Sequence, residues 1–164
     1  MRSRRISLLL WRRINENRIT MAYDVKEIAK KIIAKTDTEH GDTISNLKLQ
    51  KMLYYMQGFH LAFFGTPLFE EEIKAWQYGP VVPSVYEEYK RYESKAIDLP
   101  EGPVIELTED EEAVFDNVYD EYNQFSAVAL MKMTHEESPW RSTEISQVID
   151  KEKIKQFFNT QIVA

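Results

Sequence analysis

The residues best suited to chemistry are a histidine and two carboxylates in a row, His135, Glu136 and Glu137. A histidine beside acids can act as a general base or bind a metal ion. A zinc protease, however, needs a second histidine four residues further along the same helix, and position 139 is a proline. We therefore interpret this segment as a turn between helices, in which His135 hydrogen-bonds to the backbone and Trp140 fills a gap in the core.

The other reactive side chains do not form a recognisable catalytic or metal-binding pattern. The chain has no cysteine, and its three histidines, His40, His60 and His135, lack metal-ligand spacing. We interpret His60 as a buried histidine with satisfied hydrogen bonds, and the acids at 109–112 as a solvated helix end. The five glycines form no phosphate-binding loop. We predict no catalytic, cofactor-binding or metal site, and a small enzyme that uses His135 and nearby carboxylates stays open as an alternative.

The most informative segment is the stiff, apolar turn at 76–86, with the sequence W-Q-Y-G-P-V-V-P-S-V-Y. Gly79 permits a sharp turn, Pro80 keeps Gly79 out of the right-handed helical region, and Pro83 fixes φ where a helix can begin. Tyrosine and tryptophan are enriched at binding hot spots. We therefore predict a rigid corner that binds a partner protein. The predicted contact residues are Trp76, Tyr78, Gly79, Pro80, Val81, Val82, Pro83 and Tyr86, together with His135 and Trp140.

Charge divides the chain into two parts. Residues 1–20 hold six arginines and one acid, a net charge of +5, so residues 21–164 carry −11 against −6 for the whole chain. An acidic body repels phosphate backbones and suits a basic partner protein, so we expect no binding of nucleic acid by the domain itself. The apolar run at 6–11 is too short to span a membrane, and the lack of cysteine fits a cytoplasmic protein.

The N-terminal segment differs from the rest of the chain. Met21 and the residues after it resemble a natural start, with Asp24 as a helix N-cap. We therefore predict that residues 1–20 are a non-native or disordered basic extension and that residues 21–164 form the domain. A basic tail that binds a membrane or nucleic acid is the alternative.

The hydrophobic pattern predicts a mainly α-helical single domain with a short β-hairpin or strand pair near residues 73–83. The helix expected at 46–64 is apolar on so much of its circumference that we place it at the centre of the core, with Gly65 as its stop. Thr108 and Glu111 form a capping box that opens another helix. Further helices are expected at about 24–35, 84–92, 126–133 and 151–161.

Three segments, in this order, resemble the Panacea domain of the SocA-like antitoxin family. They are N-L-K-L-Q-K-M-L-Y-Y-M-Q-G at 46–58, the corner at 76–86, and T-H-E-E-S-P-W at 134–140. The likeness covers roughly residues 22–160. It implies a bacterial or prophage (phage-associated) antitoxin that neutralises a toxin encoded nearby by direct protein contact. It also implies an alternative, an adaptor that delivers the toxin to the ClpXP protease.

Overall fold

The structure is a computed structural model that describes residues 6–7 and 21–163. Within this part the chain is mainly helical, which confirms the predicted fold class. The helices are α1 (Val25–Ala34), α2 (Asn46–Phe64), α3 (Pro83–Tyr89), α4 (Glu109–Asn123), α5 (Ala127–Glu136), α6 (Ser138–Arg141) and α7 (Lys151–Asn159), with 3-10 turns at Thr38–His40 and Lys90–Tyr92. The strands are β1 (Ile6–Ser7), β2 (Lys74–Trp76), β3 (Gly79–Val81) and β4 (Ile162–Val163).

Helix α2 lies at the centre of the core, as its sequence predicts. The Ser45 side chain accepts a hydrogen bond from the third residue of the helix, and Gly65 ends the helix in the left-handed conformation with φ 75°. All of its residues except Leu47 and Phe64 are buried. Helices α1, α3, α4, α5 and α7 pack around it, so a side chain on any face of α2 reaches a neighbouring element.

Local capping explains where three of the other helices begin. Asp24 caps α1, Asp150 caps α7, and the capping box of Thr108 and Glu111 opens α4. The helix expected at 84–92 is shorter than predicted, because α3 gives way to the 3-10 turn at 90–92. None of the helices in residues 21–163 is long and apolar enough to cross a membrane.

The predicted turn at 134–140 is wrong in its extent. Helix α5 continues to Glu136, and α6 begins at Ser138 with Pro139 in its first turn. The break is confined to Glu137, which is extended with φ −90° and ψ 139°. Proline is tolerated in the first turn of a helix because its missing N–H has no partner there, so a single residue separates the two helices.

The predicted strand pair is confirmed. Strands β2 and β3 are antiparallel, with Trp76 opposite Gly79 and Lys74 opposite Val81. The chain at 146–149 bonds to the other edge of β2, since the Ala75 N–H donates to the Gln147 carbonyl at 2.9 Å. Strand β1 pairs in parallel with β4. The rest of residues 1–20 lies outside the described residues, and the prediction about that segment stays a prediction.

Candidate partner-binding site

Two amide side chains of α2 hold the corner at 76–86 in place. The Gln50 side-chain carbonyl accepts a hydrogen bond from the Val82 N–H at 2.9 Å. The Gln50 amide donates to Asn46 Oδ1 at 2.9 Å, and Asn46 Nδ2 donates to the Tyr86 carbonyl at 3.1 Å. Both amides are buried, so their hydrogen bonds to the corner do not compete with water. The first of the three segments therefore fixes the backbone of the second.

A buried lysine holds the turn of the hairpin. Lys51 has no exposed surface, and its Nζ donates to the Pro80 carbonyl at 2.9 Å. Burial lowers the pKa of Lys51 to about 7. Gly79 has φ +107°, and a Cβ at this position would lie 2.6 Å from Lys51 Cε and 2.8 Å from Thr134 Oγ1. The turn therefore requires glycine both for its backbone conformation and for the space that the lysine occupies.

The third segment is tied to both of the others. Trp140 Nε1 donates to the Trp76 carbonyl at 2.9 Å. The Glu137 carboxyl group accepts from the hydroxyl of Tyr54 at 3.1 Å and from that of Tyr55 at 3.0 Å. Burial raises the pKa of Glu137 to about 8, against the lowering effect of the two hydroxyls. The three segments thus form one hydrogen-bonded unit, which we call the motif unit.

The predicted contact residues differ widely in exposure. Tyr78 is 60% exposed, the largest value among them. Trp76 and Tyr86 are half-buried and pack edge to face, with ring centroids 5.0 Å apart. Pro83 is also half-buried, whereas Gly79, Pro80, Val81 and Val82 are buried. The four buried residues form the interior of the corner, and Tyr78 is its most solvent-exposed residue.

A cleft of about 610 Å³ opens beside the corner. Trp76, Tyr78 and Tyr86 contribute aromatic side chains to its walls, and its volume lies in the range that a small ligand or a few side chains fill. Ile145, at the rim, is 54% exposed. The lining residues are Asn46, Leu47, Gln50, Trp76, Gln77, Tyr78, Val81, Tyr86, Lys90, Glu93, Ser94, Ile145 and Ser146.

His135 and Trp140 stack on each other, with ring centroids 4.0 Å apart. The predicted hydrogen bond from His135 to the backbone is wrong: among the described residues the imidazole makes no hydrogen bond, and its Nε2 is buried without a partner. Trp140 is half-buried against the core, as predicted, and its indole N–H donates to the backbone of the corner at Trp76. Within residues 21–163, no hydrogen bond or ion pair joins His135 to a carboxylate, because Glu137 is turned toward the two tyrosines.

His60 belongs to a second buried cluster, in which both of its ring nitrogens have hydrogen-bond partners. Its Nδ1 lies 2.6 Å from the Thr66 carbonyl and its Nε2 lies 2.7 Å from Glu111 Oε2, which confirms the predicted satisfied histidine. Glu111 is 1% exposed, so the prediction of a solvated acid run is wrong at this position. Burial acts to raise the pKa of Glu111, but hydrogen bonds from His60, Tyr23 and Thr108 lower it to about 2.

The cluster around His60 is structural. The cavity beside it measures only about 10 Å³, so a substrate has no access. Little in the sequence indicates that Glu111 pairs with His60, 51 positions away, because the capping box already accounts for a glutamate at this position. Among the described residues, no group of three histidine or acidic side chains is placed to hold a metal ion.

A family model described as "Antitoxin SocA-like, Panacea domain" matches residues 49–141, more than half of the chain. The chain belongs to this family. Most of the motif unit lies inside the matched range, from Gln50 through Trp140. The domain match therefore covers the corner, the buried lysine that holds it and the tryptophan that ties it to α6.

One curated relative is the antitoxin SocA of Caulobacter vibrioides (strain NA1000 / CB15N). It is 51% identical to this chain over 43 residues, which is 26% of this chain and 23% of the relative. The alignment thus spans about a quarter of the relative's length. No solved structure gives a significant match to the chain.

Proposed function

We propose that this protein is an antitoxin that silences a toxin protein by direct contact in the bacterial cytoplasm, with no chemistry of its own. The observation that carries the proposal is the motif unit of a SocA-like antitoxin family member. Its three segments converge on one corner that leaves Tyr78 60% exposed beside a cleft lined in part by aromatic side chains. A rigid, partly exposed aromatic surface is the usual anatomy of a binding hot spot.

The polar groups around the corner support binding better than catalysis. The side chains of Gln50, Lys51 and Trp140 each form a hydrogen bond with the backbone of the corner, and these groups are therefore not free to act on a substrate. In the cleft, the Lys90 ammonium lies 2.6 Å from Glu87. No described residue of the lining pairs a nucleophile with a base. The surface is therefore built to stay fixed while a partner docks on it.

The charge of the domain indicates the class of partner. Residues 21–164 carry a net charge of −11 within a chain of net charge −6. Complementary charge speeds encounter and favours a partner of opposite sign. We therefore propose that the toxin is a basic protein, and that the domain itself binds no nucleic acid.

Co-expression tests the proposal directly. The full chain is produced together with each protein encoded by a neighbouring gene, and both growth and co-purification are scored. We expect one neighbour to be toxic alone, harmless together with this chain, and recovered with it in a stable complex. If no neighbour is toxic, the antitoxin function is refuted.

A strain without ClpX and a His135→Ala variant separate direct neutralisation from its two alternatives. Rescue that persists in a strain without ClpX supports direct binding, whereas rescue that requires ClpX supports the adaptor. An enzyme that uses His135 would lose its function in a His135→Ala variant while still folding and binding the toxin. We expect that variant to keep both rescue and binding.

A further inference from the structure

Two charged side chains, those of Lys90 and Glu93, line the cleft. Lys90 forms an ion pair with Glu87, whose carboxylate lies 2.6 Å from the ammonium. Glu93 also lines the cleft, is exposed, and has no hydrogen-bond or ion-pair partner for its carboxylate among the described residues. With Lys90 paired to Glu87, the carboxylate of Glu93 is the charged group of the lining that is left to pair with a ligand.

Glu93 is held at the cleft by an unusual backbone conformation. It has φ 56° and ψ −123°, and its N–H donates to the Lys90 carbonyl at 2.9 Å. Ser146, on the lining as well, has φ 75°. These are the two residues other than glycine with positive φ in the part of the chain that the structure describes. Such conformations are costly for residues with a Cβ and concentrate at functional sites.

The same cleft is lined by three aromatic side chains, those of Trp76, Tyr78 and Tyr86. Trp76 and Tyr86 pack edge to face at 5.0 Å, and Tyr78 is the most exposed aromatic of the corner. A guanidinium group is planar and stacks on aromatic rings while it pairs with a carboxylate. Leu47 and Ile145 add apolar surface at the rim, which suits the methylene stem of a long side chain.

We propose that this cleft binds an arginine side chain of the partner protein, with the guanidinium paired to Glu93 and stacked on the aromatic walls. The identity of the occupant as part of a toxin rests on the proposed function. The volume of about 610 Å³ exceeds that of one side chain, so residues flanking the arginine enter as well. An acidic side chain is repelled by Glu93, and a lysine forms the ion pair without the planar stacking.

A short peptide probes the cleft without the toxin. Acetyl-Leu-Arg-Leu-amide is titrated into the 15N-labelled full chain, and the same peptide with citrulline, the neutral analogue of arginine, serves as a comparison. We expect saturable shifts at Trp76, Tyr78 and Glu93, with the arginine peptide bound about tenfold more tightly than the citrulline peptide. Glu93→Gln reduces that difference to the part that comes from the cation on the aromatic rings, and Glu101→Gln, an exposed carboxylate outside the cleft, preserves it in full.

Equal binding of the two peptides, shifts outside the cleft, or no saturable shift overturns the proposal. The toxin complex then separates this inference from the antitoxin function. If Glu93→Gln leaves the affinity for the toxin unchanged, the arginine site is wrong and the antitoxin function stands. If the arginine peptide binds as expected but no neighbouring gene is toxic, the site stands and the antitoxin function is refuted.

Discussion

At the scale of single residues, the carboxyl group of Glu137 couples stability to pH. Its pKa rises from 4.5 to about 8 in the folded protein. Between these values the folded state holds a proton that the unfolded state has lost, so the free energy of unfolding falls as pH rises. We predict that Glu137→Gln, which keeps a neutral side chain between the two tyrosines, removes this fall. Urea denaturation at pH 4.5 and pH 8 measures it.

The neighbouring Glu136→Gln variant is the matched control, because Glu136 is exposed. It should retain the pH dependence of the unmodified protein. An unchanged profile in Glu137→Gln would show that this carboxyl group does not take up a proton in the folded state. Lys51, whose pKa is lowered to about 7, acts in the opposite direction above neutral pH and is common to all three proteins.

The glycine of the corner gives a second prediction at this scale. Gly79→Ala introduces a Cβ 2.6 Å from Lys51 Cε at φ +107°, so we expect a loss of about 2–4 kcal/mol in the free energy of unfolding. Gly102→Ala is the control, since Gly102 has φ +79° and no atom within 4 Å of the added Cβ. It should lose only about 1 kcal/mol. Similar losses in both variants would mean that the lysine does not constrain the turn.

What the sequence reveals at this scale depends on how local the contacts are. Gly79, Pro80 and Pro83 act within a few residues, so their pattern predicts the turn. The buried role of Glu111 needs His60, 51 positions away, and the strained conformation of Glu93 has no signal in residue type. Long-range pairing and unusual dihedral angles therefore cannot be predicted from local residue patterns.

At the scale of elements, close packing of α2 against α7 depends on Gly58. A Cβ at this position would overlap the ring of Phe158, which is fully buried. We predict that Gly58→Ala destabilises the protein by about 1–3 kcal/mol, because the ring cannot move without opening the core. Thermal and urea unfolding measure the loss.

A double-mutant cycle supplies the control for this packing. Phe158→Leu creates space beside the helix, so Gly58→Ala should cost less in that background than in the unmodified protein. Additive losses in the double variant would contradict a direct contact between the two positions.

The sequence predicts α2 well because its helical period, its N-cap and its terminal glycine all agree. The break between α5 and α6 is harder to predict from the sequence. Proline at position 139 indicates an interruption, but it is compatible with the first turn of a new helix. The structure confines the interruption to Glu137, and this places the Glu137 side chain against the tyrosines of α2.

At the scale of the whole molecule, the three segments of the family are one structural unit. Segments separated by tens of residues meet because α2 supplies partners to the corner through one part of its surface and to Glu137 through another. The resemblance of each segment to the family predicts that all three occur together. It does not predict their mutual hydrogen bonds, which depend on how the helices pack. This packing leaves the corner, with Tyr78 and the adjacent cleft, at the surface of the protein.

The most direct test of this account is the affinity of the purified toxin complex, measured by calorimetry for the unmodified protein and for Tyr78→Ala. We predict that the dissociation constant rises about thirtyfold or more in Tyr78→Ala, the effect of losing a hot spot of about 2 kcal/mol. The melting temperature should change little, because Tyr78 is 60% exposed. Leu99→Ala, also exposed and outside the cleft, should bind normally. An unchanged affinity in Tyr78→Ala, or a collapse of its melting temperature, would contradict the corner as the binding surface.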